Sequence, residues 1–435
     1  MRSRTKSAPR RLSAAMPPNP TTDLWRQQSP QIIRVNRRVY AAVGYALSNV
    51  LYVITNRSVV VIDTTESPAA ARACLRDFRK ICRLPVSYVI YTHFHGDHIR
   101  GASVFCNRFT HVISHERLPA ELAQVRLLQP YRSKAATVQF GLSLRREHRG
   151  ITVAADGEDG YVPPDITFDE YYLFDDGGVK FDLYHTSGES LDHLMVWVPD
   201  QQTLFPGDLF YGAFPMLSSP MKPDRPVLEW AESLQRMRGL RPQHLVPSHG
   251  IPVSGAPLID RILANYVEAI LFVHDETVRG INEGLSLDQI CRRVRLPKRL
   301  ARLPYLQPFY GTVEWSVRGI FHNYTGWYDF NPAHLRPQPH AALERAIIEA
   351  SGGTYPLVER ARRALHQGMD QLVLGLTQIV LEAQPQHFRA HKLRLRSLSR
   401  LGARATNGVE RNIYRTAARE ALATLARLNH GRAPG

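Results

Sequence analysis

The sequence predicts an α/β body followed by an all-α segment, and three observations carry that reading. Short runs of β-branched and aromatic residues alternate with helical patterns up to about residue 258. Beyond Ile259 the apolar spacing is helical, punctuated by Gly284, Pro297, Pro304, Pro308, Pro332, Pro337 and Pro339. A chain of 435 residues also exceeds what a single hydrophobic core ordinarily holds. The expected division is a basic, disordered tail over 1–30, an α/β body over 31–258 and a helical unit over 259–435.

Taken in order, the Pro-, Ser- and Arg-rich residues 1–30 lack the apolar content to fold. Strands are expected at Gln31–Val35, Tyr40–Val43, Ser48–Thr55 and Ser58–Ile62, with Asn56-Arg57 turning the last pair. The uninterrupted apolar run Val59–Ile62 fits a strand covered on both faces. Ser67 as N-cap and Pro68 at the first helical position open a helix reaching Ile81. Val86–Tyr91 is the next buried strand. A helix start at Gly101–Phe105, a strand at His111–Ser114 and a helix at Pro119–Leu128 continue the alternation.

Residues 129–165, with Gly150, Gly157, Gly160, Pro163 and Pro164, are poorly patterned and expected to be an irregular loop or lid. An antiparallel signal returns from Ile166. One hairpin pairs Tyr171–Phe174 with Val179–Tyr184, and a second pairs His193–Val198 with Thr203–Phe205. A helix follows at Pro226–Met237. Within the helical unit, Leu357–His366, Met369–Ala383 and Gln386–Leu401 read as stacked, tetratricopeptide-like helices.

Composition excludes several classes. Apolar content of 44% and charged content of 22% are those of a globular protein. No apolar run reaches the roughly 18 residues of a membrane span. Arg10-Arg11 has no apolar stretch behind it, so no secretory leader is expected. Cys74, Cys82, Cys106 and Cys291 are scattered without metal or redox spacing, which fits a reducing, cytoplasmic setting. The net charge of +16 lies at the two ends: residues 1–40 carry +8 and residues 387–435 carry +9, leaving a nearly neutral body. Neither end interleaves aromatics or shows an RNA-binding signature, so no specific nucleic-acid partner is expected.

The chemistry concentrates where the Val86–Tyr91 strand ends, in His93-Phe-His95-Gly-Asp97-His98. Imidazole and carboxylate are ligands for Zn²⁺ or a similar divalent ion. His93 and His95, two apart on extended backbone, point the same way. Asp97 and His98 follow Gly96 and can face a second ion beside the first. Further polar groups leave other strands: Glu189 in His185-Thr-Ser-Gly-Glu189, Asp208 in Pro206-Gly-Asp208, and His249 in His244-Leu-Val-Pro-Ser-His249. His115 and His244 read as ordinary core or surface histidines. Asp63, at the end of its strand, either orients a metal-bound imidazole or caps the turn.

The His-x-His-x-Asp-His stretch resembles the signature of the metallo-β-lactamase superfamily at every ligand position. That likeness implies an αββα sandwich over residues 31–258. A glutamate at position 189, usually a histidine, narrows the likeness to alkyl sulfatases. So do His274-Asp-Glu-Thr-Val-Arg279, Tyr310-Gly-Thr-Val-Glu-Trp-Ser-Val-Arg318, Gly326-Trp-Tyr-Asp-Phe-Asn-Pro332 and Ala405–Tyr414, which look like the alkyl sulfatase dimerisation domain. The resemblance implies two Zn²⁺ ions, one on His93, His95 and Glu189, the other on Asp97, His98 and His249, with Asp208 bridging. Asp97 and Asp208 are thereby the expected catalytic carboxylates. Two such ions lower the pKa of a shared water from about 15.7 to near 7, so no Ser or Cys nucleophile is required.

The resemblance also implies a homodimer and an amphiphilic alkyl sulfate substrate. Family members often carry a further lipid-carrier-like domain, which this chain is expected to lack. They also place an Asn and an Arg-Gly pair before the last histidine. Here that region reads Phe214-Pro-Met-Leu-Ser-Ser-Pro-Met-Lys-Pro-Asp-Arg225, with Met216 at the Asn position. Lys222 and Arg225, together with Tyr310, are the expected substrate contacts, unless the two cations are exposed loop charges. Two alternatives stay open: the same site acting on another ester, lactone, β-lactam or phosphoester, and a non-catalytic binding protein on this scaffold.

Overall fold

The structure is a computed structural model and describes residues 29–149 and 159–430. The expected tail, up to residue 28, and Gly150 and Gly157 of the expected loop fall outside those residues.

Strands β1 (Gln31–Arg34), β2 (Val39–Val43), β3 (Val50–Ile54), β4 (Val59–Ile62), β5 (Val86–Ile90), β6 (His111–His115) and β7 (Ile166–Phe168) form a seven-stranded sheet in chain order. The first four are antiparallel, and β4 to β7 are parallel. Strands β8 (Tyr171–Asp176), β9 (Val179–His185), β10 (Leu194–Val198), β11 (Thr203–Phe205), β12 (His244–Leu245) and β13 (Val253–Ser254) form the second sheet, in which only β11 and β12 are parallel.

The strands carry apolar side chains on both faces, and that double burial builds four layers. On β2, Val39, Ala41 and Val43 enter the core shared by the two sheets, with Phe181 and Leu183 of β9. Tyr40 and Ala42, offset by one residue, turn to the outer face. There they meet α1 (Pro68–Phe78), which Ser67 caps by accepting the Ala70 N–H at 3.3 Å. Phe78 of α1 stacks on Tyr52 with ring centroids 3.8 Å apart, a contact worth about 1 kcal/mol beyond area burial.

Helices α2 (Gly96–Ile99), α3 (Leu118–Leu127) and α4 (Gln129–Gln139) follow on the same side of the chain order. The outer face of the second sheet packs on α5 (Val227–Gly239) and on the 27-residue α6 (Ala256–Asn282). Trp230, Met237, Ile259, Leu263 and Tyr266 fill that interface with Met195 and Leu204 of the sheet.

Helices α7 (Leu287–Arg293), α8 (Lys298–Ala301), α9 (Val313–Tyr324), α10 (Pro332–Leu335), α11 (His340–Ala350), α12 (Thr354–His366), α13 (Asp370–Ala383), α14 (Phe388–Arg404) and α15 (Gly408–His430) complete the described chain. Helices α12, α13 and α14 stack by sequence neighbours around Leu357, Ala361, Val373, Val380 and Leu393, and α15 packs on α14. The three expected stacked helices are present within a few residues of their expected ends.

The structure corrects the sequence reading at three places. Residues 129–139, expected to be irregular, are helix α4. Its first turn tolerates Pro130, whose missing N–H has no helical partner there, and its support comes from α15, where Asn412 Nδ2 donates to the Gln139 carbonyl at 2.8 Å. Ile166–Phe168, where the antiparallel signal was expected to return, pairs parallel with β6. Gly101–Phe105 holds only one 3-10 turn, Ala102–Val104.

Candidate metal centre

The ends of β4, β5, β9, β11 and β12 meet on one edge of the sandwich. β5 delivers His93, and the short α2 that follows presents Asp97 and His98 after His95. The loop after β9 delivers Glu189. The turn after β11 passes through Gly207 at φ +54° to present Asp208. A Cβ on Gly207 would collide with the His193 ring, so close approach and backbone conformation both require glycine there. His249 follows β12.

The structure brings all seven expected ligand residues together. Donor atoms of His93, His95, Glu189 and Asp208 form one cluster, and those of Asp97, His98 and His249 form a second. His93 Nε2 and His95 Nδ1 face each other at 2.7 Å, and His95 Nδ1 lies 3.4 Å from Glu189 Oε1. Asp208 lies between the clusters: its carboxylate oxygens are 3.9 Å from His93 Nε2, 3.5 Å from His98 Nε2 and 3.2 Å from His249 Nε2. Asp97 Oδ2 is 3.5 Å from His98 Nε2 and 3.4 Å from His249 Nε2.

The far side of each ring is fixed by the chain. His98 Nδ1 meets Asp63 Oδ2 at 2.7 Å, and that carboxylate also accepts from the Thr92 N–H at 2.9 Å and from Ser248 Oγ at 2.6 Å. The structure thus decides the two roles left open for Asp63: it orients an imidazole. His249 Nδ1 is held by the Leu47 carbonyl at 2.9 Å. In both rings Nε2 is left for the centre.

Burial keeps the rings of His93 and His95 well below the usual imidazole range, helped by neighbouring cationic groups, so both are neutral with a lone pair to offer. At His98 burial acts the same way, but the carboxylates of Asp208, Asp63 and Asp97 outweigh it and raise the ring. Burial pushes the Glu189 carboxyl up to about 7 against the pull of Arg225.

Among the described residues, His98 Nε2 and Glu189 Oε2 are buried without a hydrogen-bond partner. Such groups are costly unless something outside the chain satisfies them. Four imidazoles and three carboxylates at this spacing suit a borderline or hard divalent cation, so the residues fit a metal.

Lys222 and Tyr310 line the cleft over the centre, with Leu47, Phe140 and Tyr211. Tyr310 comes from the loop before α9. Its approach depends on Gly311, where a Cβ would collide with the Pro215 backbone. Asn407, at the start of α15, holds that loop by donating to the Tyr310 carbonyl at 2.7 Å. Arg225 is placed differently from Lys222: it is 5% exposed, donates to the Met216 carbonyl and pairs with Glu189 Oε1. It is not an exposed loop charge, and its guanidinium is committed to a candidate ligand rather than to the cleft.

His193 was not singled out from the sequence. Its Nε2 accepts the Asp208 N–H at 3.1 Å, its Nδ1 meets Thr186 Oγ1 at 2.9 Å, and its ring lies 5.2 Å from that of His93. Burial lowers this ring to about 3, keeping it a neutral acceptor. A histidine heading an apolar strand is also what an ordinary core histidine looks like, so no sequence signal separates the two. His115 stacks on His185, away from the centre, and His244 bonds Ser254, as expected of ordinary histidines.

The model of the metallo-beta-lactamase superfamily matches residues 43–249, and that of alkyl sulfatase dimerisation matches residues 286–423. A linear primary-alkylsulfatase of Pseudomonas sp. is 31% identical over 384 residues, which cover 83% of this chain and 71% of that protein. An alkyl/aryl-sulfatase of Saccharomyces cerevisiae is 26% identical over 423 residues, 91% of this chain and 65% of its own length. The solved structure of a stereoselective inverting sec-alkylsulfatase from Pseudomonas sp. superposes with a TM-score of 0.85 at 23% identity, over 90% of this chain and 65% of that one. This chain thus spans slightly less than two thirds of the latter two proteins. The structural likeness bears out the expected sandwich followed by a helical domain.

Proposed function

We propose, from the premise that this chain belongs to the metallo-beta-lactamase superfamily and to the group within it that carries an alkyl sulfatase dimerisation segment, that it hydrolyses an alkyl sulfate ester to alcohol and sulfate. The observation that carries the reading is the convergence of seven metal-competent side chains from separate strand ends. The ligand sets are His93, His95 and Glu189 for one ion and Asp97, His98 and His249 for the other, with Asp208 shared. We take both ions to be zinc.

When bound, such ions supply Lewis acidity toward the ester and lower the pKa of water toward about 7. The chain's own residues do the rest. Asp63 and the Leu47 carbonyl hold the His98 and His249 rings so that Nε2 points inward. Arg225 fixes Glu189 and keeps its charge compensated. Asp97 and Asp208, the proposed catalytic carboxylates, orient the attacking water by accepting a hydrogen bond from its O–H. Lys222 and Tyr310 line the cleft where a sulfate would sit.

The domain division at 258/259, a homodimer through the helical unit and a cytoplasmic site of action belong to the same proposal. No helix of the described residues is long and apolar enough to cross a membrane. A second reading, hydrolysis of another ester or a phosphoester, draws on one feature: the only guanidinium of residues 214–225 is spent on Glu189, which leaves one ammonium and one phenol to grip the anion.

The test is sulfate release from a medium-chain alkyl sulfate by zinc-loaded protein, with Glu189→Ala as control. Release that vanishes in the control supports the reading. No release from protein with two bound metals moves the assignment to the second reading.

A further inference from the structure

A larger cavity of about 540 Å³ adjoins the cleft and shares His95, Phe140 and Lys222 with it. From there it extends along α3 and α4. Phe94, Ile99, Leu122, Val125 and Phe140 give it an apolar lining suited to a methylene chain. Among the described residues it also holds three guanidinium groups, from Arg100, Arg126 and Arg132, against one carboxylate, Asp159.

Among the described residues none of these three arginine side chains donates a hydrogen bond or sits in an ion pair, whereas Arg225 next door has both. Arg132 is half-buried, and its Nε is out of contact with water and without a partner. Glu121 on α3 feels its charge only through space. Arg100 folds back over Gly96, where a Cβ would come within 2.9 Å of its Nε. A buried donor without an acceptor is unfavourable, and a bound oxyanion is the group that a guanidinium fork satisfies best.

We propose that this cavity is a subsite for the remote end of the substrate, and that the substrate class is an alkyl sulfate bearing a second anionic group, a carboxylate or another sulfate, at the far end of its chain. The apolar lining takes the methylenes, while Arg126 of α3 and Arg132 of α4, with Arg100, take the second charge. A simple fatty-alcohol sulfate would leave the three cations unpaired against its terminal methyl group. This inference rests on the hydrolase reading for the bond that is cut, but the binding it asserts is testable without turnover.

The experiment is calorimetric titration of the metal-loaded full chain with a long-chain α,ω-alkanedisulfonate and with the matching n-alkanesulfonate, neither of which can be hydrolysed. The disulfonate is expected to bind at least about tenfold more tightly. That preference should fall to about unity in the Arg126→Gln/Arg132→Gln double variant and be partly kept in Arg132→Lys. Arg126 is exposed, so Arg126→Gln alone tests the idea in a chain whose packing is untouched. Equal binding of the two probes by the native protein, or a preference that survives the double variant, would overturn the proposal. Failure to release sulfate from any ester would count against the hydrolase reading alone, because the binding ratio does not depend on it.

Discussion

Two buried aspartates show how differently the two halves of this molecule use charge. Asp370, at the first turn of α13, is 3% exposed and is answered within the helical unit: Ser397 Oγ donates to it at 3.1 Å, and Arg400 and Arg404 reach it at 3.4 Å. Asp208, 7% exposed, is surrounded by imidazoles and other carboxylates drawn from distant strands. The helical unit balances its polar groups locally. The edge of the sandwich gathers imidazoles and carboxylates from separate strands, a donor set suited to a divalent cation. Burial of a carboxylate is therefore no sign of function, whereas the identity of its neighbours is.

Breaking the gathered set should have the largest effect. His95→Ala or Asp97→Ala is expected to abolish turnover and release metal while the helical unit keeps its far-ultraviolet circular dichroism. Unchanged rates would refute the metal assignment. Next comes the support behind the rings. Asp63→Asn should weaken metal affinity about 10- to 100-fold, read by competition with a chelator, since it frees the His98 ring without removing a ligand. Arg225→Met leaves Glu189 buried without its countercharge, and metal-free protein should lose about 3 kcal/mol in a denaturant titration, with part recovered on metal loading.

On the helical side the expected cost is smaller and the site is silent. Asp370→Asn should cost about 1–2 kcal/mol, because the arginines opposite are 35% and 65% exposed and solvent already screens them. Metal content and sulfate release should not change. The smallest effect concerns pH. His115 is held at about 4 by burial, helped by the neighbouring His185 ring, below its ordinary 6.5. The unfolded chain therefore binds the extra proton first, so this histidine's contribution to stability is present above about 6.5 and lost as pH falls toward about 4. His115→Gln should flatten the melting temperature over that window; an unaltered slope would remove His115 from the account.

Much of the site was legible from residue chemistry. Four candidate ligands in six residues after an apolar strand have no structural use, and Glu189, Asp208 and His249, each unremarkable alone, leave separate strand ends as polar groups. Arg225 and His193 were not legible in that way. A cation in a Pro-rich loop and a histidine in an apolar strand carry no local sign of what they touch, and both find their partners only across the fold. The same holds for α4, whose polar surface and Pro130 resemble a loop until α15 packs against it.

By itself, the sequence determined what periodicity and ligand chemistry encode: strands alternating with helices, a stack of amphipathic helices after them, and a set of side chains fit for divalent metal, while the two-layered sandwich was implied by the family resemblance. Tertiary structure decided which carboxylate orients which imidazole, that Tyr310 is carried to the cleft by the helical unit, and that three arginines share one cavity. Those facts depend on contacts between residues far apart in the chain, 185 positions for Ser248 and Asp63 and 202 for Leu47 and His249. Periodicity sets the face a side chain points from, but only the packed fold sets what it meets there.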